Sequence, residues 1–279
     1  MLRDEFKDFS TFFFDGDGVL YKEDDLLPGA KVLLSELEKE GKKIYLLTNN
    51  STKTREDYCN KLQKLGINIP KDNIFSSAYL TARVLAERTP KARIYVIGEQ
   101  GLKRELLAQG LIVLNFDEET NDEDIFSLDF SAVDYVVVGM DRNLTYVKIA
   151  RAVSILTLNT NSQFIATNTD ITFPTPKGVI PGGGAMVKIL EVLSHRSVNE
   201  IVGKPFPLMF SSALEQSNST SSTTLMIGDR YETDIIGAKK VGIRTCMVLS
   251  GISTIEDVKK LTGSDIPDFT LENVSKILY

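Results

Sequence analysis

Phe12-Phe13-Phe14-Asp15-Gly16-Asp17-Gly18-Val19-Leu20-Tyr21 governs the reading of this chain. Ser10 to Phe14 is short, aromatic and uncharged, which predicts a buried strand. Asp15 then falls at the strand's C-terminal end, where open α/β sheets bind their ligands. Gly16 and Gly18 let the backbone leave the strand sharply. Two carboxylates this close repel one another, and the usual remedies are a metal ion or a shared proton. A plain turn also uses aspartate. A calcium loop is excluded, because Val19 and Leu20 occupy the third ligand position and the required glycine position.

Composition bounds what this stretch can serve. The chain has 279 residues, 42% hydrophobic and 25% charged, ordinary for a globular protein of one large or two modest domains. A net charge of −6 argues against general nucleic-acid binding but leaves room for small anionic substrates. Cys59 and Cys246 lack metal-type spacing, which suggests reduced thiols and a cytoplasmic setting. The start of the chain lacks a secretory pattern, and no stretch approaches the roughly 20 apolar residues of a membrane span. The only histidine, His195, sits at a polar helix end and reads as a surface residue. A multi-histidine zinc site is therefore excluded, and a Ser-His-Asp triad has no supporting nucleophile motif.

The remaining chain alternates strands and helices. Pro28–Lys39 has helical periodicity through Val32, Leu33 and Leu37. Lys43–Leu47 is a buried strand running into Thr48-Asn49-Asn50-Ser51, ahead of a helix over Arg55–Leu65. Exposed N–H groups at a helix start, with a hydroxyl and an amide, suit an anion; helix capping uses the same residue types. A strand and a helix follow to Arg88, and the chain changes unit near Thr89-Pro90. Strands are predicted over Ala92–Gly98, Leu111–Leu114, Tyr135–Gly139 and Phe164–Thr167, with helices over Leu102–Gln109 and Thr145–Leu158. Asp117–Asp124 reads as a solvated acidic loop. Asn168–Gly184, rich in Gly and Pro, reads as a turn with a helix start, or as a substrate-facing loop. It is neither a P-loop nor a dinucleotide fingerprint. Ala185–Leu193 is a helix and Glu200–Gly203 an apolar strand that delivers Lys204. Thr224–Gly228 is a strand ending in Asp229, and a further strand over Ile243–Leu249 precedes two helical segments.

Four apolar strands thus end in distinct chemical groups: Asp15 with Asp17, Thr48, Lys204 and Asp229. In one parallel sheet these ends share an edge. The groups fit phosphoryl transfer to an aspartate. A carboxylate is ionised at neutral pH and needs no activating base. Mg²⁺ on Asp15, Asp229 and a backbone oxygen would offset the repulsion between nucleophile and phosphate. Lys204 and Thr48 would hold phosphoryl oxygens, and Asp17 would move the proton.

Asp15-x-Asp17-Gly-Val-Leu, Leu-Leu-Thr48-Asn49-Asn50-Ser51, Gly203-Lys204-Pro205 and Gly228-Asp229-Arg230-x-x-x-Asp234 resemble, in order, the four motifs of the haloacid dehalogenase-like superfamily. Val138-Gly139-Met140-Asp141, Ala166-Thr167-Asn168-Thr169-Asp170 and Pro181-Gly182-Gly183-Gly184 are similar to the cap of its NagD-like subfamily. That subfamily holds 4-nitrophenyl, phosphoglycolate and pyridoxal phosphate phosphatases. The resemblance implies that Asp15 is the nucleophile and Asp17 the general acid/base. It implies Mg²⁺ on Asp15, the Asp17 carbonyl and Asp229, with Asp234 supporting. Thr48, Asn49, Asn50 and Lys204 would bind the phosphoryl group. Phe173 stands where pyridoxal phosphate phosphatases carry a substrate-contacting histidine, which favours phosphoglycolate-type or aryl phosphates.

The expected architecture is α/β: a Rossmann-like parallel-sheet core from residues 1–89 and 184–279, with an α/β cap over 90–183. The expected function is Mg²⁺-dependent hydrolysis of small phosphate monoesters such as 2-phosphoglycolate or 4-nitrophenyl phosphate, through an aspartyl-phosphate. Pyridoxal phosphate or sugar and nucleotide phosphates are the alternative substrates. A phosphotransferase and a non-catalytic phospho-aspartate module are the rivals. Expected partners are a small phosphorylated metabolite and, by the resemblance, a second copy through the cap; neither nucleic acid nor membrane is expected.

Overall fold

The computed structural model describes residues 1–116, 125–175 and 177–279. The acidic loop expected over Asp117–Asp124 lies outside the described residues. In chain order, the first elements are β1 (Thr11–Phe14), β2 (Tyr21–Lys22), β3 (Asp25–Leu26), α1 (Ala30–Lys39), β4 (Lys43–Thr48), α2 (Arg55–Lys64), β5 (Ile74–Ser76) and α3 (Ser77–Arg88). Next come β6 (Arg93–Ile97), α4 (Gln100–Ala108), β7 (Ile112–Val113), β8 (Tyr135–Val138), α5 (Tyr146–Leu158), β9 (Gln163–Ala166), β10 (Thr172–Thr175), β11 (Gly178–Pro181) and α6 (Gly183–Ser194). The last are β12 (Glu200–Ile201), α7 (Pro207–Ser217), β13 (Thr224–Gly228), α8 (Ile236–Lys240), β14 (Arg244–Val248), α9 (Ile255–Lys259) and β15 (Phe269–Leu271). None of the described helices is long and apolar enough to cross a membrane.

The chain divides into two compact units. The first is Met1–Thr48, Glu56–Phe75 and Lys204–Tyr279; the second is Asn49–Arg55 and Ser76–Gly203. The first unit's sheet has the order β15-β14-β13-β1-β4-β5. β1 sits inside it, parallel to β13 and β4, with Phe12 opposite Leu225 and Ile44, and Phe14 opposite Ile227 and Leu46. A strand flanked on both sides and covered on both faces has no solvent face to alternate toward, which is why all four of its residues are buried. Phe12 and Phe14 join Leu46, Ile227 and Val248 in one core with Leu33 and Leu37 of α1. The buried stripe of α1 is Ala30, Leu33, Leu34 and Leu37, one helical face; Val32, expected inside, is 62% exposed.

Numbered within the unit, these strands read 3-2-1-4-5-6, the order of a doubly wound dinucleotide-type fold. Successive connections run in opposite directions from β1, so its boundary with β13 is the switch point. Crossover loops there diverge and leave the C-terminal ends of both strands open. Asp15 follows one of those ends and Asp229 the other.

The second unit has its own parallel sheet, β12-β9-β8-β6-β7, which reads 5-4-3-1-2 and is also doubly wound. It takes in α3, which packs on α4, and α6, whose Met186, Val187 and Leu190 join Val136, Phe164 and Ile155 in one core. The expected boundaries at 89/90 and 183/184 place both helices with the first unit instead. The structure corrects the origin of Lys204. The strand before it pairs through Glu200 and Ile201 with Ile165 and Ala166 of β9, so it edges the second sheet. Three of the four group-bearing strands, β1, β4 and β13, share the first sheet. The Gly/Pro-rich segment is a β10–β11 hairpin, with Phe173 opposite Ile180.

Phe12→Ala would leave a cavity in the central strand, at a cost of about 3–5 kcal/mol. Urea unfolding followed on the first unit's transition measures it. A loss under about 1 kcal/mol would contradict the central, close-packed position given to β1.

Candidate active site

The site is assembled from the loops at that switch point. Asp15 stays on the ladder through its own N–H, which donates to the Ile227 carbonyl at 2.9 Å. The chain then turns tightly, and the Gly16 carbonyl accepts from Leu20 at 3.0 Å and Tyr21 at 3.2 Å. Gly18 has φ 83° and its N–H reaches Tyr21 O at 2.8 Å. A side chain there would overlap the Asp229 carboxylate, so glycine is what allows the two loops to touch.

Lys204 is 2% exposed and fully engaged. Its ammonium donates to Asp15 Oδ1 at 2.6 Å and Leu47 O at 2.9 Å, and lies 2.6 Å from Asp234 Oδ1. Two of these contacts are hydrogen bonds and the third is an ion pair between buried groups. Asp234 projects from one wide helical turn, Tyr231–Ile235, that precedes α8, and its Oδ2 accepts from Arg230 N–H at 3.1 Å. Asp229 Oδ2 accepts from Ile252 N–H at 2.8 Å.

One carboxylate oxygen from each of Asp15, Asp229 and Asp234 lies within 4.8 Å of the others. Three carboxylates beside one ammonium leave two negative charges, the charge a divalent cation would offset. The donors are all oxygen, which suits a hard cation such as Mg²⁺. Burial pushes Asp229 up to about 8, helped by the charges of Asp15 and Asp234. Burial also raises Asp234, to about 6, against the opposing pull of Lys204. Lys204 itself would be depressed by burial, but Asp15 and Asp234 hold it above its ordinary value. Burial and the neighbouring Asp15 raise Asp17, while the charge of Lys61 and the Glu23 backbone pull the other way.

The first unit therefore brings together Asp15, Asp17, Lys204, Asp229 and Asp234, with Thr48 at the end of β4. Thr48 shares a hydrogen bond with the hydroxyl of buried Tyr58, a partner that sequence reasoning missed; no short motif marks it. Asn49 and Asn50 group with the second unit. There Asn49 Nδ2 donates to Asp170 Oδ2 at 3.1 Å, and Asn50 Oδ1 accepts from Thr52 N–H at 2.8 Å. Phe173 is on the β10–β11 hairpin, half-buried. His195 is exposed, in a left-handed conformation at the end of α6, as its surface reading implied.

Comparison with known proteins agrees with this architecture. A family model described as haloacid dehalogenase-like hydrolase matches residues 12–112, and a related model matches 201–277. An acid sugar phosphatase from Staphylococcus saprophyticus is 35% identical over 272 residues, 98% of each chain. The structure of a 4-nitrophenylphosphatase from Thermotoga maritima superposes with a TM-score of 0.87 at 30% identity, covering 99% of this chain and 98% of that one. NagD from E. coli K-12 gives 0.82 at 28% identity, covering 96% and 98%. The chain belongs to the haloacid dehalogenase-like hydrolase family. Within that family it falls among the NagD and 4-nitrophenylphosphatase members.

A pH dependence follows for protein stripped of divalent ions. Asp229 and Asp234 bind protons more tightly folded than unfolded. The penalty of ionising them is absent below their ordinary value of 3.8 and complete above about 8. The thermal midpoint of chelated protein should therefore fall between pH 5 and pH 8, and saturating Mg²⁺ should reverse the fall. A midpoint that rises over that interval without metal would contradict the arrangement.

Proposed function

We propose that the chain is a Mg²⁺-dependent phosphoric monoester hydrolase acting on small organic phosphates through an aspartyl-phosphate. The observation that carries this reading is Lys204 bridging Asp15 to Asp234 beside Asp229, at the open edge of a doubly wound sheet. Asp15 is the only one of the three clustered carboxylates that follows β1 directly, and its side chain keeps 15% exposure where Asp234 keeps 1%. It is thus the carboxylate within reach of a substrate.

Mg²⁺ bound by Asp15, Asp229 and the Asp17 carbonyl, with Asp234 supporting, would neutralise phosphoryl charge and orient the ester. The chain's own groups supply the remaining chemistry. An Asp15 oxygen attacks phosphorus as the P–O bond to the leaving alcohol breaks. Asp17 gives its proton to that departing oxygen. Its raised affinity for protons favours the acid form this step needs. Asp17, now ionised, takes a proton from water as the water oxygen attacks phosphorus. The P–O bond to Asp15 breaks, phosphate leaves, and both aspartates return to their starting states. Lys204 holds Asp15 in line and offsets charge, and the Thr48 hydroxyl donates to a phosphoryl oxygen. Asn49, Asn50 and Phe173 are assigned to the substrate on the family resemblance.

The named activities of the relatives point to sugar phosphates and aryl phosphates as the substrate classes. A panel of sugar phosphates, 2-phosphoglycolate, pyridoxal phosphate and 4-nitrophenyl phosphate, ranked by kcat/KM, identifies the preferred one. Asp15→Asn should abolish Mg²⁺-dependent turnover of 4-nitrophenyl phosphate in a folded protein. Asp17→Asn should slow it by about 10²- to 10⁴-fold. Substantial turnover by Asp15→Asn removes that residue from the nucleophile role; stoichiometric phosphorylation of the unaltered chain without turnover favours a regulatory module instead.

A further inference from the structure

The four motifs leave one element of the centre unassigned: the loop Ser250-Gly251-Ile252-Ser253 that follows β14. It grips Asp229 at both ends of that residue. The Ile252 N–H donates to the carboxylate Oδ2 at 2.8 Å, and the Ser253 N–H donates to the Asp229 carbonyl at 3.0 Å. The same loop is tied to the other two acidic segments. Ser253 Oγ accepts from the Tyr231 N–H at 3.1 Å, at the head of the turn that carries Asp234. Ser250 Oγ donates to the Gly18 carbonyl at 2.6 Å, in the turn that carries Asp15 and Asp17.

Packing closes what these bonds leave open. A methyl group at Gly251 would overlap the Asp229 carboxylate at Oδ2, and one at Gly18 would overlap the same oxygen while lying 3.1 Å from the Gly251 Cα. Asp229 is 4% exposed, and two glycine backbones lie close against its carboxylate. Its carboxylate thus has one oxygen fixed by an N–H and little room to rotate.

We propose that Ser250–Ser253 is a positioning clamp for the cation site, holding the Asp229 carboxylate in its ligating orientation. This rests on the metal-dependent reading above. An unclamped buried carboxylate, repelled by Asp15 and Asp234, would turn away when no cation is bound, and binding would then have to reorder it. The clamp keeps the orientation in place beforehand. Hydrogen-bond partners of metal-ligating groups typically change affinity by about 10- to 100-fold when lost.

The test uses the full chain and Mn²⁺, with unbound ion followed by electron paramagnetic resonance. Gly251→Ala should weaken Mn²⁺ binding by about 10- to 100-fold. Ser250→Ala should weaken it by a smaller factor, and Ser250→Thr, which keeps the hydroxyl, should restore it. Thermal midpoints taken in chelator separate loss of folding from loss of positioning. Asp229→Asn is the reference for a lost ligand. Wild-type affinity in Gly251→Ala and Ser250→Ala, while Asp229→Asn loses binding, overturns the clamp alone. No Mn²⁺ binding by the unaltered chain overturns the metal reading and the clamp together. Should Gly251→Ala fail to fold, the Ser250 pair decides: equal affinity in Ser250→Ala and Ser250→Thr overturns the clamp.

Discussion

Lys204 meeting Asp15 and Asp234 at 2.6 Å each is the contact on which the rest of the active-site architecture depends. Removing three carboxylates from water near one another is unfavourable, because desolvation and mutual repulsion both act against ionisation. A single ammonium offsets only part of that charge. Burial first, and the neighbouring carboxylates after it, raise the proton affinities of Asp229 and Asp234. The site is therefore electrostatically incomplete as a set of side chains, and a hard divalent cation is the species its all-oxygen donors suit.

The sheet order explains why the carboxylates can converge at all. β1 and β13 are neighbours, yet their following connections leave in opposite directions, so Asp15 and Asp229 face an open crevice. The second unit repeats the doubly wound principle with a different order, 5-4-3-1-2, and is built around its own core. Both sheets are parallel and buried, which is why their strands read as unbroken apolar runs and why strand identity alone does not tell which sheet a run will join.

Lys204 and the 49–55 segment illustrate that difficulty. The lysine's chemistry was legible: a cation after an apolar run, ahead of proline. Its strand was not, because Glu200–Gly203 carries no mark of its partner, and hydrogen bonding to β9 is a tertiary choice. Asn49 follows Thr48 directly, yet its amide bonds Asp170 and its carbonyl accepts from Ser77 Oγ at 2.6 Å, all within the second unit. Contiguity in sequence does not carry membership of a core. The β10–β11 hairpin was hidden for a local reason: Pro174 and Pro181 lie within its strands, where proline ordinarily argues against a ladder.

What the sequence determined alone was chemical identity. Aspartate at 15, 17, 229 and 234, lysine at 204 and threonine at 48 are polar or charged, so they stand out against apolar strands. The strands themselves stand out because burial selects Phe, Ile, Leu and Val. What tertiary structure decided was everything held by backbone groups and by shape: which strands pair, which unit owns 49–55, and how Ser250–Ser253 encloses Asp229. Every residue except proline offers the same N–H, and a missing Cβ matters only when another chain segment lies against it. Such interactions leave no pattern in one dimension and exist only once distant segments have met.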